Sequence, residues 1–470
     1  MRRSSRREFL KWTGAVAALA ALPRWPAAAE AARERPNIVY ILADDMGYAD
    51  GGFMGCRDIQ TPNLDRLAQG AAVLTSFYVQ PVCSPTRSCF MTGRYVAHTG
   101  VYTVVTPNAP WGLPLEERTL AAALREAGYE TAICGKWHLG EFEEAYRPTR
   151  RGFDHQYGNW FGAIDYFTHM RNNQLDWHKD DQPCHDEGYS TFLDAKEACR
   201  IIKENKGKPL FLYVPFNAVH GPLQAPENYL KQYEHLKDPR RVYAADVAAM
   251  DDAIGRIVAA LKEKGVLENT LILFSSDNGG PSPGRVTDNG PLRAGKGTIY
   301  EGGMRVCAFA YWPGHIPAAR IQEPLHMVDW YPTLVKLAGG SLQQKLPLDG
   351  KDIWPVLTQG AKSPHEAILL CGTTPQRVAI RMGDWKLLLN ASQKDAEEAK
   401  AGESAGEKVE LYNVASDIGE TKDMAASNPE KVKELRAKLA EYQKGFVPMG
   451  GGDAPAAGPK GAGAKRAGKK

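Results

Sequence analysis

The fold class of this chain follows from the stretch Pro36-Asn37-Ile38-Val39-Tyr40-Ile41-Leu42-Ala43. An unbroken apolar run of this length is typical of a parallel strand that is buried on both faces. Similar runs occur at residues 131–134, 209–216 and 270–274. Helical patterns lie between the runs, most clearly at residues 119–127 and 242–264. Because strands alternate with helices, the sequence predicts an α/β domain over residues 36–365, with a mostly parallel sheet sandwiched by helices.

Polar side chains follow all four of these predicted strands. In chain order they are Asp44 and Asp45, Lys136 and His138, His220, and Asp277 and Asn278. Ligands of such sheets bind beyond the carboxyl ends of the strands, so we expect these side chains to share one site. Three carboxylates and an amide oxygen favour calcium or magnesium over zinc. For the Asp44-Asp45 pair taken alone, a helix cap or a solvated turn is an equal alternative.

A second motif reads Cys83-Ser84-Pro85-Thr86-Arg87. Pro85 suits the first turn of a helix, which we expect to run to about Met91. Cys83 then lies at the helix N-terminus, where a developing negative charge is favoured. Arg87 faces the same side one turn later and can hold an anionic group. By itself, the motif also fits a small buried cysteine beside a surface arginine.

The motif at Cys83–Arg87 continues as Ser88-Cys89-Phe90-Met91-Thr92-Gly93-Arg94 and resembles the signature of the type I sulfatases. Further blocks that resemble this family lie at residues 61–68, 135–140, 220–222, 291–297 and 300–303. The resemblance implies an alkaline-phosphatase/sulfatase-like fold and a sulfuric ester hydrolase of the arylsulfatase type. It also implies that a formylglycine-generating enzyme oxidises Cys83 to Cα-formylglycine, whose hydrate attacks sulfur.

The resemblance further implies a calcium ion, with magnesium as the alternative. The residues that match its ligands are Asp44, Asp45, Asp277 and Asn278, together with the residue derived from Cys83. Asp277 also matches a base that serves the nucleophile.

Five more residues match the catalytic groups of the family. Arg87 and Lys136 match the groups that stabilise the hydrate, and His138 matches the histidine that helps to release sulfate. His220 and Lys296 match the pair that contacts the scissile ester, with His220 as the proton donor to the leaving oxygen.

Residues 146–154 and 162–169 resemble the corresponding blocks of arylsulfatase B, the N-acetylgalactosamine-4-sulfatases. This similarity implies a sulfated carbohydrate or an aryl sulfate as the substrate. Two alternatives stay open. One is a phosphonate or phosphate ester hydrolase of the same superfamily, and the other is a catalytically silent sulfoglycan-binding protein.

The N-terminus carries an export signature. The adjacent arginines Arg6 and Arg7 precede Phe9-Leu10-Lys11, an apolar run at residues 12–22 and alanine-rich sequence from Ala27. This pattern predicts a twin-arginine signal over residues 1–29 that engages the twin-arginine export machinery. We therefore expect a periplasmic or secreted protein without a stable membrane span, because the apolar run is too short to cross a bilayer.

Charge and cysteine content exclude other classes of protein. The formal net charge is +3, but the basic residues concentrate in the two termini, so the body is acidic and a nucleic-acid partner is not expected. Eight cysteines in 470 residues are too few for a disulfide scaffold, although Cys184 and Cys199 could pair after export.

The pattern of predicted secondary structure changes after residue 365. Short strand patterns occur at residues 367–370, 377–382, 385–390 and 409–412, and a helical pattern follows at 429–445. These patterns predict a smaller C-terminal α+β subdomain over residues 366–446 with an antiparallel sheet. The Gly/Ala/Pro/Lys-rich segment 447–470 is expected to be a disordered basic tail.

Overall fold

The computed structural model describes residues 35–392 and 407–450. The predicted signal at 1–29 and all but four residues of the predicted tail lie outside the described residues. The strands of the first half are β1 (Asn37–Ala43), β2 (Ala72–Leu74), β3 (Phe77–Tyr78), β4 (Glu130–Cys134), β5 (His155–Gly158), β6 (Met170–Arg171), β7 (Gln174–Leu175), β8 (His178–Lys179), β9 (Gln182–Pro183) and β10 (Leu210–Pro215). Those of the second half are β11 (Thr270–Ser276), β12 (Arg305–Val306), β13 (Ala308–Tyr311), β14 (Ala319–Ile321), β15 (Leu325–His326), β16 (Ile368–Cys371), β17 (Val378–Met382), β18 (Trp385–Leu389) and β19 (Val409–Asn413).

The α-helices alternate with these strands. They are α1 (Pro62–Gln69), α2 (Cys83–Thr92), α3 (Val96–Thr99), α4 (Leu120–Glu126), α5 (Ser190–Glu204), α6 (Glu227–Leu230), α7 (Arg240–Lys264), α8 (Glu301–Met304), α9 (Trp330–Leu337), α10 (Trp354–Gln359) and α11 (Pro429–Gln443). Short 3-10 helices lie at Gly52–Met54, Glu144–Tyr146, Pro148–Arg151, Lys231–Tyr233, Leu267–Asn269 and Met327–Asp329.

A ten-stranded sheet forms the centre of the molecule, in the order β14-β2-β13-β11-β1-β10-β4-β5-β8-β9. Its middle strands β11, β1, β10, β4 and β5 are all parallel to one another. Antiparallel neighbours are added at both sides, where β13 pairs with β11 and β8 pairs with β5. The prediction of a mostly parallel sheet is therefore confirmed, and the four strands expected from the apolar runs are adjacent in it.

Helices cover both faces of this sheet, as predicted. Alternate residues of β1 belong to two separate hydrophobic clusters, with Ile38 and Tyr40 in one and Val39 and Ile41 in the other. The first cluster includes residues of α2, α4 and α9, and the second includes residues of α5 and α7. An unbroken apolar run is needed here because a strand buried on both faces has no solvated side.

The C-terminal antiparallel sheet is also confirmed. Strands β16, β17, β18 and β19 form a four-stranded meander, and α11 follows them. One face of the meander contributes Leu369 and Ile380 to the cluster that contains α2, while the other face packs against Tyr300. From Pro36 onward, the described residues belong to one compact unit, and the division of the chain near residue 365 stays a prediction.

Two further observations concern membrane-spanning helices and the cysteines. Within residues 35–392 and 407–450, no helix combines the length and the apolar character needed to cross a membrane. All eight cysteines are free thiols, Cys184 and Cys199 among them.

Candidate active site

The carboxyl ends of β11, β1, β10 and β4 form the floor of a cavity. Backbone hydrogen bonds continue one or two residues past the strands, since the amide of Asp277 donates to the carbonyl oxygen of Ala43 at 2.9 Å and that of Lys136 donates to Pro215 at 2.7 Å. Asp277 and Lys136 are thus held by the sheet itself. Two of the residues in the loops beyond, Asp45 and His138, have positive φ angles of 65° and 57°. Such strain in non-glycine residues is concentrated at functional sites.

Two carboxylates and two cations are joined beneath the cavity. The Arg87 guanidinium donates from Nη2 to Asp44 Oδ2 at 3.1 Å and to Asp277 Oδ2 at 3.0 Å. The Lys136 ammonium contacts the same Asp44 oxygen, and none of the four side chains is exposed. Because each carboxylate has a cationic partner, the cluster can be ionised without contact with water.

The surroundings separate the pKa values of these two carboxyl groups. Burial alone would raise the pKa of Asp44, but Lys136, His220 and Arg87 outweigh it and hold the pKa well below its usual range. Burial, followed by the negative charge of Asp44, raises the pKa of Asp277 to about 6. Of the two carboxyl groups, Asp277 is therefore the weaker acid.

An oxygen-rich group lies beside this cluster. Asn278 donates from Nδ2 to Asp45 Oδ1 at 2.7 Å, whereas its own Oδ1 is buried and has no hydrogen-bond partner. Four residues, Asp44, Asp45, Cys83 and His220, each offer one potential ligand atom, and these four atoms lie within 4.8 Å of one another. A bound cation would satisfy the orphaned amide oxygen, and the carboxylate-rich donor set fits a hard divalent ion. The other two predicted ligands, Asp277 and Asn278, adjoin this group through their contacts with Asp45.

Cys83 opens helix α2, every residue of which is buried. Its Sγ lies 3.3 Å from Asp44 Oδ1, and the side chain is 1% exposed. Burial and the neighbouring Asp277 and Asp44 raise the pKa of the thiol well above its usual range. As a cysteine, residue 83 is therefore a neutral thiol rather than a reactive thiolate.

A cavity of about 380 Å³ opens above Cys83. Its wall includes Asp45, His138, His220 and Lys296, and the segment at residues 103–107 forms one side. This volume lies within the range of pockets that enclose small ligands. Nine of the ten residues singled out from the sequence are connected by direct polar contacts, and His138 lines the same cavity.

His138 is held in one orientation by its neighbours. Its Nε2 lies 3.1 Å from the carbonyl oxygen of Val105, while Nδ1 is buried and has no partner. A Cβ added at Gly162 would lie only 2.4 Å from Nε2, so the ring packs directly on that glycine. Burial, followed by the positive charge of Lys136, lowers the pKa of His138 well below its usual range. The imidazole is thus neutral, and Nδ1 carries a free lone pair when Nε2 donates to Val105.

His220 and Lys296 face Asp45 from the wall of the cavity. The Lys296 ammonium contacts Asp45 Oδ2 at 2.8 Å, and His220 Nε2 lies 3.6 Å from the same oxygen. His220 Nδ1 is engaged with the carbonyl oxygen of Gly221 at 2.6 Å. Burial and the positive charge of Lys296 lower the pKa of His220, so an anionic ligand is needed to favour its protonated form.

Sequence reasoning missed two features of this wall. Arg171 reaches it from the β6–β7 hairpin, and Gly162 limits the space behind His138. The adjacent Asn172 and Asn173 signal a tight turn, but nothing in the sequence indicates that this turn lies at the cavity.

Comparisons with known proteins identify the family of the chain. The sulfatase family profile matches residues 36–341. Mouse (Mus musculus) arylsulfatase J is 37% identical, with 90% of this chain and 78% of that protein covered. Pig (Sus scrofa) N-acetylgalactosamine-6-sulfatase is 34% identical, with 79% and 76% covered. The crystal structure of Ps i-CgsB in complex with k-i-k-neocarrahexaose superimposes with a TM-score of 0.80 at 32% identity, covering 88% of this chain and 94% of that one.

The N-terminus matches the signal sequence of the twin-arginine translocation pathway at residues 3–23, so the protein is exported to the periplasm or secreted. Assignment to the arylsulfatase B subgroup stays a prediction, since the relatives described above are an arylsulfatase J and a 6-sulfatase. The family profile covers most of the chain, and the similarity to named sulfatases is extensive. The chain is therefore a sulfuric ester hydrolase and belongs to the sulfatase family.

Proposed function

We propose that this exported sulfatase hydrolyses sulfate monoesters of sulfated carbohydrates, with a Cα-formylglycine made from Cys83 as the nucleophile and calcium as the bound ion. One observation carries the proposal: Cys83 opens a buried helix at the cavity floor, beside Asp44 and among Arg87, Lys136 and Lys296. A sulfate monoester is anionic, and further negative charge develops on the departing oxygen. Cationic groups that are already fixed in place stabilise that charge most effectively.

The calcium ion would be held by Asp44, Asp45, Asp277, Asn278 and the oxidised residue 83. The buried Asn278 Oδ1, which has no partner, and the three carboxylates support this assignment. When bound, calcium supplies positive charge that polarises the oxygens of the sulfate group. Magnesium is the alternative, but it prefers to keep several water ligands, and a buried set of protein oxygens suits calcium better.

The nucleophile requires a change at residue 83, because the neutral thiol of Cys83 is unreactive. A formylglycine-generating enzyme would convert the side chain to an aldehyde, whose hydrate supplies one hydroxyl to attack sulfur and a second to expel sulfate. We assign Arg87 and Lys136 to stabilise the hydrate and Asp277 to take up the proton of the attacking hydroxyl. All three are fixed by mutual hydrogen bonds, since Arg87 also donates to the Lys136 carbonyl oxygen at 2.9 Å.

Two histidines have orientations that suit proton transfer. His220 Nδ1 donates to the Gly221 carbonyl oxygen, so Nε2 faces Asp45 and the cavity. We assign the imidazolium form, which the anionic ester would favour, as the proton donor from Nε2 to the leaving oxygen. His138 Nε2 is engaged with Val105, so Nδ1 is free to accept a proton while sulfate is released. Lys296 lies beside His220 and would contact the bridging oxygen of the ester.

A sulfated carbohydrate is the substrate class that the similarities favour. One related protein is named an N-acetylgalactosamine-6-sulfatase, and one related structure holds a neocarrahexaose. A 380 Å³ cavity with a cationic wall is compatible with an anionic sugar. We therefore propose a sulfated amino sugar or galactan unit rather than a simple aryl sulfate as the natural substrate.

The first experiment compares aryl esters that share one leaving group. The purified enzyme, co-expressed with a formylglycine-generating enzyme, is tested on 4-nitrophenyl sulfate, 4-nitrophenyl phosphate and a 4-nitrophenyl phosphonate. We expect the highest kcat/KM on the sulfate. A large preference for either phosphorus ester would support the rival hydrolase of the same superfamily. No turnover of these esters, nor of sulfated galactosamine and galactan disaccharides, would support a silent sulfoglycan-binding protein.

A matched pair of cysteine variants tests the nucleophile. Cys83→Ala is expected to abolish turnover, whereas Cys89→Ala should retain it, because Cys89 is equally buried in the same helix but is absent from the cavity wall. Full activity of Cys83→Ala would refute the proposed nucleophile.

Metal removal tests the ion. Dialysis against a calcium-selective chelator should abolish activity and lower the melting temperature, because three buried carboxylates then lose a divalent counter-ion. Added calcium should restore both properties more completely than magnesium. Unchanged activity and melting temperature after verified metal removal would exclude the proposed ion.

A further inference from the structure

We propose that Arg171 forms a subsite for a second anionic group, a sulfate or a carboxylate, on the sugar that carries the scissile sulfate or on its neighbour. The proposal rests on the function proposed above and names a feature of its substrate: the preferred ester is at least dianionic. Arg171 would act as a specificity residue outside the reacting groups.

Arg171 is brought to the cavity by a short hairpin. Strands β6 and β7 pair antiparallel, with Met170 opposite Leu175 and Arg171 opposite Gln174. Asn172 and Asn173 form the two-residue turn, with positive φ angles of 51° and 61°. Asparagine tolerates this conformation better than most residues, and a turn of this kind fixes the register of the strands. The hairpin therefore presents Arg171 at the wall of the same cavity as Cys83, His220 and Lys296.

The charge of Arg171 is uncompensated within the part of the chain that the structure describes. Its side chain makes no ion pair there, and its Nε is shielded from water and has no hydrogen-bond partner. The other cations of the site are all ion-paired, Arg87 and Lys136 with Asp44 and Lys296 with Asp45. A guanidinium N–H that is shielded from water and has no hydrogen-bond acceptor is unfavourable unless a ligand supplies that acceptor. The planar guanidinium matches a sulfate or carboxylate group through two parallel hydrogen bonds.

The base of the hairpin is tied to the catalytic region. Asp165 donates its amide to the carbonyl oxygen of Met170 at 2.9 Å, and its Oδ2 accepts a hydrogen bond from Gln224 at 2.7 Å. The neighbouring Tyr166 hydroxyl lies 2.8 Å from the carbonyl oxygen of His220. These contacts link the hairpin to the loop of His220, so the backbone at Arg171 is positioned by the same segment that holds His220.

The position of this charge favours an anion on the substrate over a structural counter-ion. Asp44 pairs with Arg87 and Lys136 beneath the cavity, and Asp45, the acidic residue of the wall, pairs with Lys296 and not with Arg171. The scissile sulfate would occupy the floor at Cys83. A second negative group, carried on the sugar ring above it, would then meet Arg171.

The test measures binding in the full chain with Cys83→Ala, which cannot turn substrate over, in the presence of calcium. Three probes are titrated by calorimetry: N-acetylgalactosamine 4-sulfate with one anion, its disaccharide with a uronate, and a galactan disaccharide with two sulfates. We expect at least one dianionic probe to bind more tightly than the monosulfated sugar. Adding Arg171→Gln should reduce that preference about tenfold or more, because a charge-assisted bidentate contact is lost.

Two variants serve as controls. Arg171→Lys keeps the charge without the planar fork and should retain part of the preference. Arg150→Gln removes an exposed arginine that is absent from the cavity wall and should leave the preference unchanged. The probe that loses affinity identifies the second group as carboxylate or sulfate. Equal weakening of all three probes by Arg171→Gln, or no weakening, would overturn the proposal, as would failure to bind any probe.

Turnover of 4-nitrophenyl sulfate by the unsubstituted enzyme is measured in parallel. Absence of turnover of this ester and of all three sulfated probes would contradict the proposed function, whereas normal turnover with an unchanged binding preference in Arg171→Gln would contradict the Arg171 subsite alone.

Discussion

The substitution Gly162→Ala would perturb the site at a defined point, because Gly162 packs directly on His138. A Cβ at position 162 would lie 2.4 Å from His138 Nε2, 2.5 Å from Cε1 and 3.1 Å from Nδ1. To restore ordinary van der Waals separation, the imidazole must retreat by about 1 Å. That shift breaks the 3.1 Å contact with the Val105 carbonyl oxygen, so Gly162→Ala acts on the orientation of a histidine that it does not replace.

The magnitude follows from two contributions. Loss of one neutral hydrogen bond lowers the free energy of unfolding by about 1 kcal/mol. A displacement of about 1 Å in a group that transfers protons reduces the rate about 100-fold. We therefore expect kcat on 4-nitrophenyl sulfate to fall about 100-fold, while the melting temperature changes by only a few degrees.

The assay separates the two halves of the reaction. If His138 serves the release of sulfate, Gly162→Ala should show a rapid stoichiometric burst of 4-nitrophenol followed by a slow steady state. A double-mutant cycle supplies the control, because in the His138→Ala background the same glycine substitution should change kcat by less than about twofold. Equal losses in both backgrounds, or an unimpaired Gly162→Ala enzyme, would refute this reasoning.

Three further predictions concern a hydroxyl beside His220 and two buried ionisable groups away from the cavity wall. Tyr166→Phe removes the hydroxyl that lies 2.8 Å from the His220 carbonyl oxygen, so kcat/KM should fall about fivefold or more with little change in KM. An equal fall in stability and activity would point to a structural role instead. Lys386→Met removes the ammonium that two buried carboxylates share, Glu301 at 2.9 Å and Glu420 at 3.0 Å, and chemical denaturation should show a loss of about 3 kcal/mol or more. A loss below about 1 kcal/mol would show that the two carboxylates do not depend on this ammonium. Burial raises the pKa of Asp246 to about 8. The folded state therefore holds a proton that the unfolded state loses near pH 4, so the free energy of unfolding should fall as pH rises from about 4 to about 8. Denaturation of Asp246→Asn should show a weaker dependence over this range, and an identical dependence in both proteins would exclude Asp246 as its source.

The parts of the fold that were predictable are those with strong local signals. Each of the four long parallel strands is a continuous apolar run, and each ends within two residues of the predicted position. Because parallel strands place their carboxyl ends at one edge, the polar residues after them were expected to converge. The helix that begins at Cys83 was likewise indicated by Pro85 in its first turn.

The remaining parts depend on contacts between distant segments. Strands β2, β3 and β12 have only two or three residues, which is too short for a periodic pattern, and their pairing is fixed by tertiary packing. The sequence indicates a role for Arg87 but not its simultaneous contact with Asp44 and Asp277, since the latter is 190 residues away. Arg171 lies on a hairpin whose turn is recognisable, yet its direction depends on how the hairpin base packs beside His220.

The state of residue 83 tests the central claim most directly. Trypsin releases the peptide Leu67–Arg87, in which Cys83 is the only cysteine, and mass spectrometry of this peptide from active enzyme reports the modification. We predict a peptide about 18 Da lighter than the cysteine form, because CH2SH has become CHO, and a converted fraction that rises in proportion to specific activity. A fully active enzyme in which Cys83 remains a thiol that alkylates normally would contradict the account.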